Sequence, residues 1–246
     1  MTNFSIDINA DIGEGIGNEA DLMPLLSSCN IACGGHSGDL ETMNMCVELA
    51  KQHRVKIGAH PSFPDKENFG RQIVEMSCSA LYQTVKNQVK DMMNVVRKNQ
   101  AALHHVKPHG ALYNLAATNK KTAEVIVEVM KSIHLPIKLY VPYGSVISKL
   151  ALQENIPITY EVFADRNYNE DLSLVSRTQH NAIIKDVDVM TIHIQNMILH
   201  KKVKTVSGLE VPIKAETICV HGDNPEALKL VKKLRQNLVD FGVEIQ

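Results

Sequence analysis

The stretch Asp7-Ile-Asn-Ala-Asp-Ile-Gly-Glu-Gly15, DINADIGEG, decides between two folds. Apolar residues alternate with acids and then give way to glycines, the pattern of a strand running into a glycine loop. Read as a dinucleotide loop, Gly13 and Gly15 begin a G-x-G-x-x-G fingerprint and imply an open, doubly wound sheet. Asn18 stands where the third glycine belongs, however, and NEADLMPLLSS offers only a short helix after the loop. A pyrophosphate would also meet Glu14 with like charge. Read instead as the end of a first strand, the stretch delivers Asn9, Asp11 and Glu14 to a shared site.

The rest of the chain repeats that design. Short apolar runs predict strands at Ser5–Asn9, Asn30–Cys33, Lys56–Ala59, His105–Lys107, Lys138–Val141, Thr159–Phe163 and Thr217–Val220. Helical patterns at Leu40–Gln52, Ser79–Lys98, Lys120–Ile133, Ser145–Glu154, Val187–His200 and Glu226–Asp240 separate most of them. In Ser79–Lys98, Leu81, Val85, Val89, Met92, Met93 and Val96 recur at helical spacing, with Ser77 placed as N-cap. Leu228, Val231, Leu234 and Leu238 form one stripe on the last helix, which Asn224-Pro225 starts. Alternation of strand and helix implies parallel strands with right-handed crossovers. About seven repeats predict a distorted seven-stranded parallel β/α barrel as one domain, residues 1–246. Only Ala164–Ala215 breaks the rhythm, as an insertion between the last two strands that carries a helix and a hairpin at Val203–Lys214, centred on Ser207-Gly208.

Each strand ends in functional side chains. After Asn9, Asp11 and Glu14 come His36 and Asp39, then His60, Ser62, Asp65 and Arg71. Next are Lys107, His109 and Tyr113; then Tyr143; then Glu161, Asp165, Arg166 and Tyr168; and last His221 and Asp223. The carboxyl ends of barrel strands open on one face, so these seven segments converge. Asp39 and Asp223 are explained as helix caps alone, and His53, His104, His134, His180, His193 and His200 as structural. Cys33 reads as a small buried residue. Gly34, Gly35, Pro61, Pro108, Gly110 and Gly222 suit sharp turns out of the strands.

Composition removes several classes. With 26 basic and 27 acidic residues there is no surplus of charge for nucleic acid. No apolar run reaches the roughly 20 residues of a membrane span, and the acidic start has no leader pattern. Cys29, Cys33, Cys46, Cys78 and Cys219 are irregularly spaced, as reduced thiols of a cytoplasmic protein would be. No P-loop, G-x-S-x-G elbow or H-E-x-x-H motif occurs. Histidines with carboxylates point to general acid–base catalysis or hydrolysis at a bound metal.

In order, DINADIGEG, SCNIACGGHSGD, IGAHPSFPD with NFGR, HVKPHGALYN, EVFADRNY and VHGDNP closely resemble the signature blocks of the LamB/YcsF family, the A subunits of 5-oxoprolinase. The resemblance spans about Ile6 to Asn224. It implies a barrel related to polysaccharide deacetylases and some glycoside hydrolases. It also implies ATP-dependent opening of 5-oxoproline to L-glutamate with partner subunits B and C, ATP being a co-substrate of the complex. Under that resemblance Asp11, His36, His60, His109 and Lys107 are the expected catalytic residues. Asn9, Glu14, Arg71, Tyr113, Glu161, Asp165, Arg166 and His221 are expected around the substrate, with Lys107 and Arg166 against its carboxylate or phosphoryl oxygens. The Asp-His-His set of the related deacetylases puts a divalent metal on Asp11, His36 and His60. Two departures stand out. ACGGHSGD replaces the commoner ACGFHAGD, so Gly35 is expected to widen the pocket. NEDLSLVSR replaces DGxLVPR in a loop expected to meet a partner. Two rival activities remain: a stand-alone metal-dependent amide or N-acetyl hydrolase, and a non-catalytic 5-oxoproline-binding or scaffolding subunit.

Overall fold

The computed structural model describes residues 4–220 and 227–246. His221 and Asp223, the VHGDNP block and the Asn224-Pro225 helix start lie outside the described residues. Strands β1 (Phe4–Ile12), β2 (Ser28–Ala32), β3 (Lys56–His60), β4 (Leu103–Val106), β5 (Lys138–Pro142), β6 (Ile158–Phe163) and β9 (Thr217–Cys219) pair in parallel in that order. β9 also pairs with β1, through Asp7↔Thr217 and Asn9↔Cys219, so the sheet closes on itself. That closure excludes the doubly wound alternative.

Helices α2 (Leu40–His53), α3 (Cys78–Lys98), α5 (Lys120–Lys131), α6 (Val146–Gln153), α7 (Val187–Leu199) and α8 (Ala227–Asp240) fall within two residues of their predicted spans. Asp39 accepts the Thr42 N–H at 2.8 Å and caps α2, and Ser77 accepts from Ala80 to cap α3. The short helix expected in NEADLMPLLSS is α1 (Glu19–Leu22), followed in the chain by a second short one, α4 (Gly110–Thr118), that was not expected. The second begins directly after His109 with no side-chain cap, so it carries no start signal. In the insertion, β7 (Lys202–Lys204) and β8 (Glu210–Pro212) form the predicted antiparallel hairpin, and Gly208 turns it at φ +88°. The final strand β10 (Val243–Ile245) pairs with Phe4–Ile6, below the barrel proper. Three residues are too short a run to read from sequence.

Strand alternation makes the inside of this barrel polar. Along β1, Ile6, Ile8, Ala10 and Ile12 enter the apolar core, while Asp7, Asn9 and Asp11 turn the other way. Buried polar groups must find partners, and these find them across the barrel. Asp7 Oδ1 accepts from Ser28 Oγ at 2.7 Å and Thr217 Oγ1 at 2.6 Å, and Asp7 Oδ2 faces Lys56 Nζ at 3.2 Å. One layer up, Asn9 Nδ2 donates to Thr217 Oγ1 and Glu161 Oε1, and Asn30 Nδ2 donates to Asn9 Oδ1 and Asp11 Oδ1. The remaining Asn30 oxygen accepts from His105 Nε2 at 2.7 Å, and the His105 ring stacks on Tyr140 at 3.8 Å.

That ring lies where a side chain on β3 would be: any Cβ at Gly58 would overlap it. Gly58→Ala therefore displaces His105 and leaves Asn30 short of a donor. Urea denaturation should show a loss on the order of 1–3 kcal/mol, as overpacked cores do. Unchanged stability would mean that His105 is not fixed as described.

Candidate active site

The polar ladder ends at Lys107, the first residue past β4. Its ammonium is buried and lies 2.9 Å from Asp11 Oδ1, 2.9 Å from Glu161 Oε1 and 3.1 Å from Cys219 Sγ. Burial opposes its charge, but Asp11 and then Glu161 outweigh burial and hold the pKa well above the ordinary amine value. Three N–H groups with three such partners leave no donor for a ligand. Lys107 touches the cavity but is held by the protein, so Arg166 alone of that expected pair keeps donors for an anion.

Above Lys107 sit three histidines. His60 Nδ1 donates to the Lys107 carbonyl at 2.7 Å, and His109 Nε2 donates to the Phe69 carbonyl at 2.9 Å. A carbonyl only accepts, so these contacts assign the tautomers and leave lone pairs on His60 Nε2 and His109 Nδ1. The two nitrogens face each other at 2.9 Å. Glu14 Oε1 is 3.3 Å from His109 Nδ1, and Asp11 Oδ2 is 3.3 Å from His60 Nε2. The His36 ring stacks parallel on His109 at 3.6 Å, its Nε2 is 2.9 Å from Glu14 Oε1, and its Nδ1 is buried without a partner. Burial and then the neighbouring His60 push His36 down to about 3, and the same causes lower His109 further still. The carboxylates of Asp11 and Glu14 and the imidazoles of His36, His60 and His109 thus crowd around one point, a place for a proton or a metal cation. Ligand atoms of Glu14, His36, His60 and His109 lie within 4.8 Å of one another. The expected set was Asp11, His36 and His60. The geometry adds Glu14 and His109, and it has Asp11 spend Oδ1 on Lys107 and Asn30.

The loop Phe63–Arg71 shapes this cluster. Phe69 is held at φ +56°, a region costly for an aromatic residue, and so aims its carbonyl at His109. Gly70, at φ +63°, packs directly on both stacked histidines, where a Cβ would come 2.9 Å from His36 Cβ.

A cavity of about 380 Å³ opens beside the cluster. Asp11, Glu14, His60 and His109 line it together with Arg71, Arg166 and Arg177, with Tyr113 and Phe163 also in the wall. The other expected residues lie apart from it. Asn9 and Glu161 form the layer beneath Lys107, Asp165 does not line the cavity, and His36 stands behind His109. His221 lies outside the described residues. The Tyr113 hydroxyl and Glu161 Oε2 are both buried without a hydrogen-bond partner.

Both sequence departures take on different meanings. Gly35 does not widen the cavity. A Cβ there would overlap Gln88 Oε1 and Ser62 Oγ, and Gln88 fills that space by bonding the Ser62 N–H at 3.0 Å and its carbonyl at 2.8 Å. The NEDLSLVSR loop supplies Leu174–Thr178 to the cavity wall. Arg177, His105, Asn30 and Phe69 were not singled out from sequence. Period-two alternation along β2 and β4 places Asn30 with Ser28 and His105 with Lys107, a signal that could have found two of them.

The chain matches the LamB/YcsF family over residues 6–246. A 5-oxoprolinase A subunit from Haemophilus influenzae (strain PittEE) is 41% identical over 240 residues, 98% of each chain. The crystal structure of a lactam utilization protein from Thermus thermophilus superposes with a TM-score of 0.92 at 34% identity, covering 99% of both chains. A T48 deacetylase covers all of this chain, and 88% of its own, at a TM-score of 0.50 and 13% identity, and so shares the fold alone. On the family match, and on identity that extends over nearly the whole chain, this protein belongs to the LamB/YcsF family.

Proposed function

We propose that this chain is the A subunit of an ATP-dependent 5-oxoprolinase and that the lactam is opened in the cavity beside Glu14, His60 and His109. The observation that carries this reading is the convergence, in one cavity, of an electron-pair-rich histidine–carboxylate cluster with a wall of arginines. Opening the ring adds water across the amide: oxygen bonds to the carbonyl carbon, the C–N bond breaks, and nitrogen takes up a proton. The cluster supplies bases for the attacking water and acids for the leaving nitrogen. The arginines face the anionic part of the substrate. A lactam is a poor electrophile; moving the γ-phosphoryl group of ATP onto its oxygen activates the carbon, so that water adds, the C–N bond breaks to leave an acyl phosphate, and a second water hydrolyses that acyl phosphate to the glutamate carboxylate and inorganic phosphate. With no P-loop in the chain, partner subunits B and C supply the ATP chemistry.

A divalent metal fits the same donors. His60 and His109 each donate their other nitrogen to a backbone carbonyl, as metal-ligating histidines commonly do, and Glu14 and Asp11 add hard oxygen donors. When bound, such an ion polarises a carbonyl and acidifies water. The cluster therefore keeps a second reading in view, a metal-dependent amide or N-acetyl hydrolase that needs no ATP.

With B and C present, glutamate release from ATP and 5-oxoproline should fall about 100-fold or more for His109→Ala and for Asp11→Asn, the range of lost acid–base groups. If both variants keep the parent rate, the cavity is not the reaction site and the chain has a binding or scaffolding role. Elemental analysis of protein purified without added metal should find about one divalent ion per chain, removed by His60→Ala and by His109→Ala. Ion-loaded protein that hydrolyses amides without ATP favours the stand-alone hydrolase instead.

A further inference from the structure

We propose that Gln88, on helix α3, is a positioning residue for the histidine cluster: it clamps the backbone at Ser62 and thereby fixes His60 and His109 against each other. The kinetic arm of the test below rests on the reading of the cavity as the reaction site; the spectroscopic arm does not.

Gln88 stands out by its place in the helix. The buried side of α3 is made of Leu81, Val85, Gln88, Val89, Met92, Val95 and Val96. Gln88 is the one polar member of that stripe and is only 7% exposed. A buried amide costs stability unless its oxygen and nitrogen both find partners. Both find them on a single residue of the loop that leaves β3. Gln88 Oε1 accepts the Ser62 N–H at 3.0 Å, and Gln88 Nε2 donates to the Ser62 carbonyl at 2.8 Å. In an antiparallel ladder one residue exchanges its N–H and C=O bonds with a single partner, and the Gln88 amide does the same with Ser62. Ser62 is fully buried, so these bonds satisfy backbone groups that water does not reach.

The clamp joins three loops, and each carries one histidine of the cluster. His60 stands two residues before Ser62, and its backbone N–H donates to Cys33 Sγ at 3.3 Å. The Pro61 carbonyl accepts the His109 N–H at 2.8 Å, which ties the start of α4 to the clamped segment. On the third side Gly35 directly precedes His36. Its φ lies outside the left-handed region, so space rather than backbone conformation requires a glycine there: a Cβ would overlap Gln88 Oε1 and Ser62 Oγ. The loops after β2, β3 and β4 therefore meet at Ser62. The 2.9 Å approach of His60 Nε2 to His109 Nδ1 and the 3.6 Å stack of His36 on His109 are set from α3 through that point. Groups that act together at such distances lose rate steeply when one moves by about 1 Å.

Nitrogen-15 NMR of the full-length chain, labelled at histidine and freed of divalent ions with a chelator, reads the tautomers. In the parent, His60 should carry its proton on Nδ1 and His109 on Nε2, as two distinct fixed patterns. Gln88→Met is close in size but cannot bond Ser62, and it should shift both patterns toward tautomer-averaged signals. Gly35→Ala keeps Gln88 in the chain but pushes its amide off Ser62, and it should do the same. With B and C present, each variant should lower kcat for glutamate release about tenfold or more while KM moves less than about twofold. If circular dichroism shows Gln88→Met unfolded, Gly35→Ala decides. A folded variant with the parent tautomers overturns the proposal whatever its kcat, and it does so even if urea denaturation shows lower stability, because Gln88 then serves stability alone. Averaged tautomers with an unchanged kcat leave the positioning role standing and remove the cluster from the reaction, so that the proposed function falls instead.

Discussion

Everything in the upper half of the barrel depends on the buried ion pairs of Lys107. Two carboxylates, Asp11 and Glu161, lie in a closed interior where neither could stay charged alone. The ammonium between them makes both tolerable, and its geometry decides which oxygens remain for other uses. Asp11 Oδ1 is taken by Lys107 and Asn30, so Asp11 Oδ2 is turned toward His60. The Lys107 carbonyl also accepts the His60 Nδ1 proton and so sets that tautomer. One residue thus fixes both the carboxylate and the imidazole that face each other. Removing one member of such a buried set typically costs about 3–5 kcal/mol, because it strands the others.

The lower layers serve the same end. Asp7, Ser28, Thr217, Asn9, Asn30 and His105 are bonded from strand to strand, so the floor beneath Lys107 is a hydrogen-bonded lattice. A polar interior of this kind specifies strand register, since a one-residue slip would bury every one of these groups against the helices. Local strain adds to this at the top of the barrel. Phe69 occupies a backbone region that disfavours its side chain, and the surrounding contacts hold it there because its carbonyl orients His109.

How far the sequence reveals this follows from the range of each interaction. Strand and helix spans rest on local periodicity, so the seven barrel strands and the caps at Asp39 and Ser77 were legible. α4 and β10 were not: one starts without a cap, and the other is three residues long and gains its stability from pairing with Phe4–Ile6. Strand ends gathered Asp11, Glu14, His60 and His109 correctly into one region, because barrel topology alone requires it. What could not be read was which atoms face which. The Lys107–Asp11 and Thr217–Asp7 contacts join residues 96 and 210 positions apart, and no pattern in the chain shows that Lys107 spends its donors on the protein. Arg177 was hidden for a related reason: it belongs to an irregular insertion whose path is set by isolated bridges such as Tyr168–Leu174.

The charge lining the cavity is the last consequence of this construction. Lys107 neutralises carboxylates from below and is itself consumed, so it adds little net charge to the space above. Burial and the neighbouring histidines hold His36 and His109 below the ordinary imidazole range. Among the described residues that line the cavity, further cationic side chains come from Arg71, which follows β3, and from Arg166 and Arg177 in the insertion after β6. Net negative charge enters from Asp11 and Glu14, at the end of β1 and just beyond it. Carboxylates and guanidiniums thus line one cavity, brought there from three separate segments of the chain.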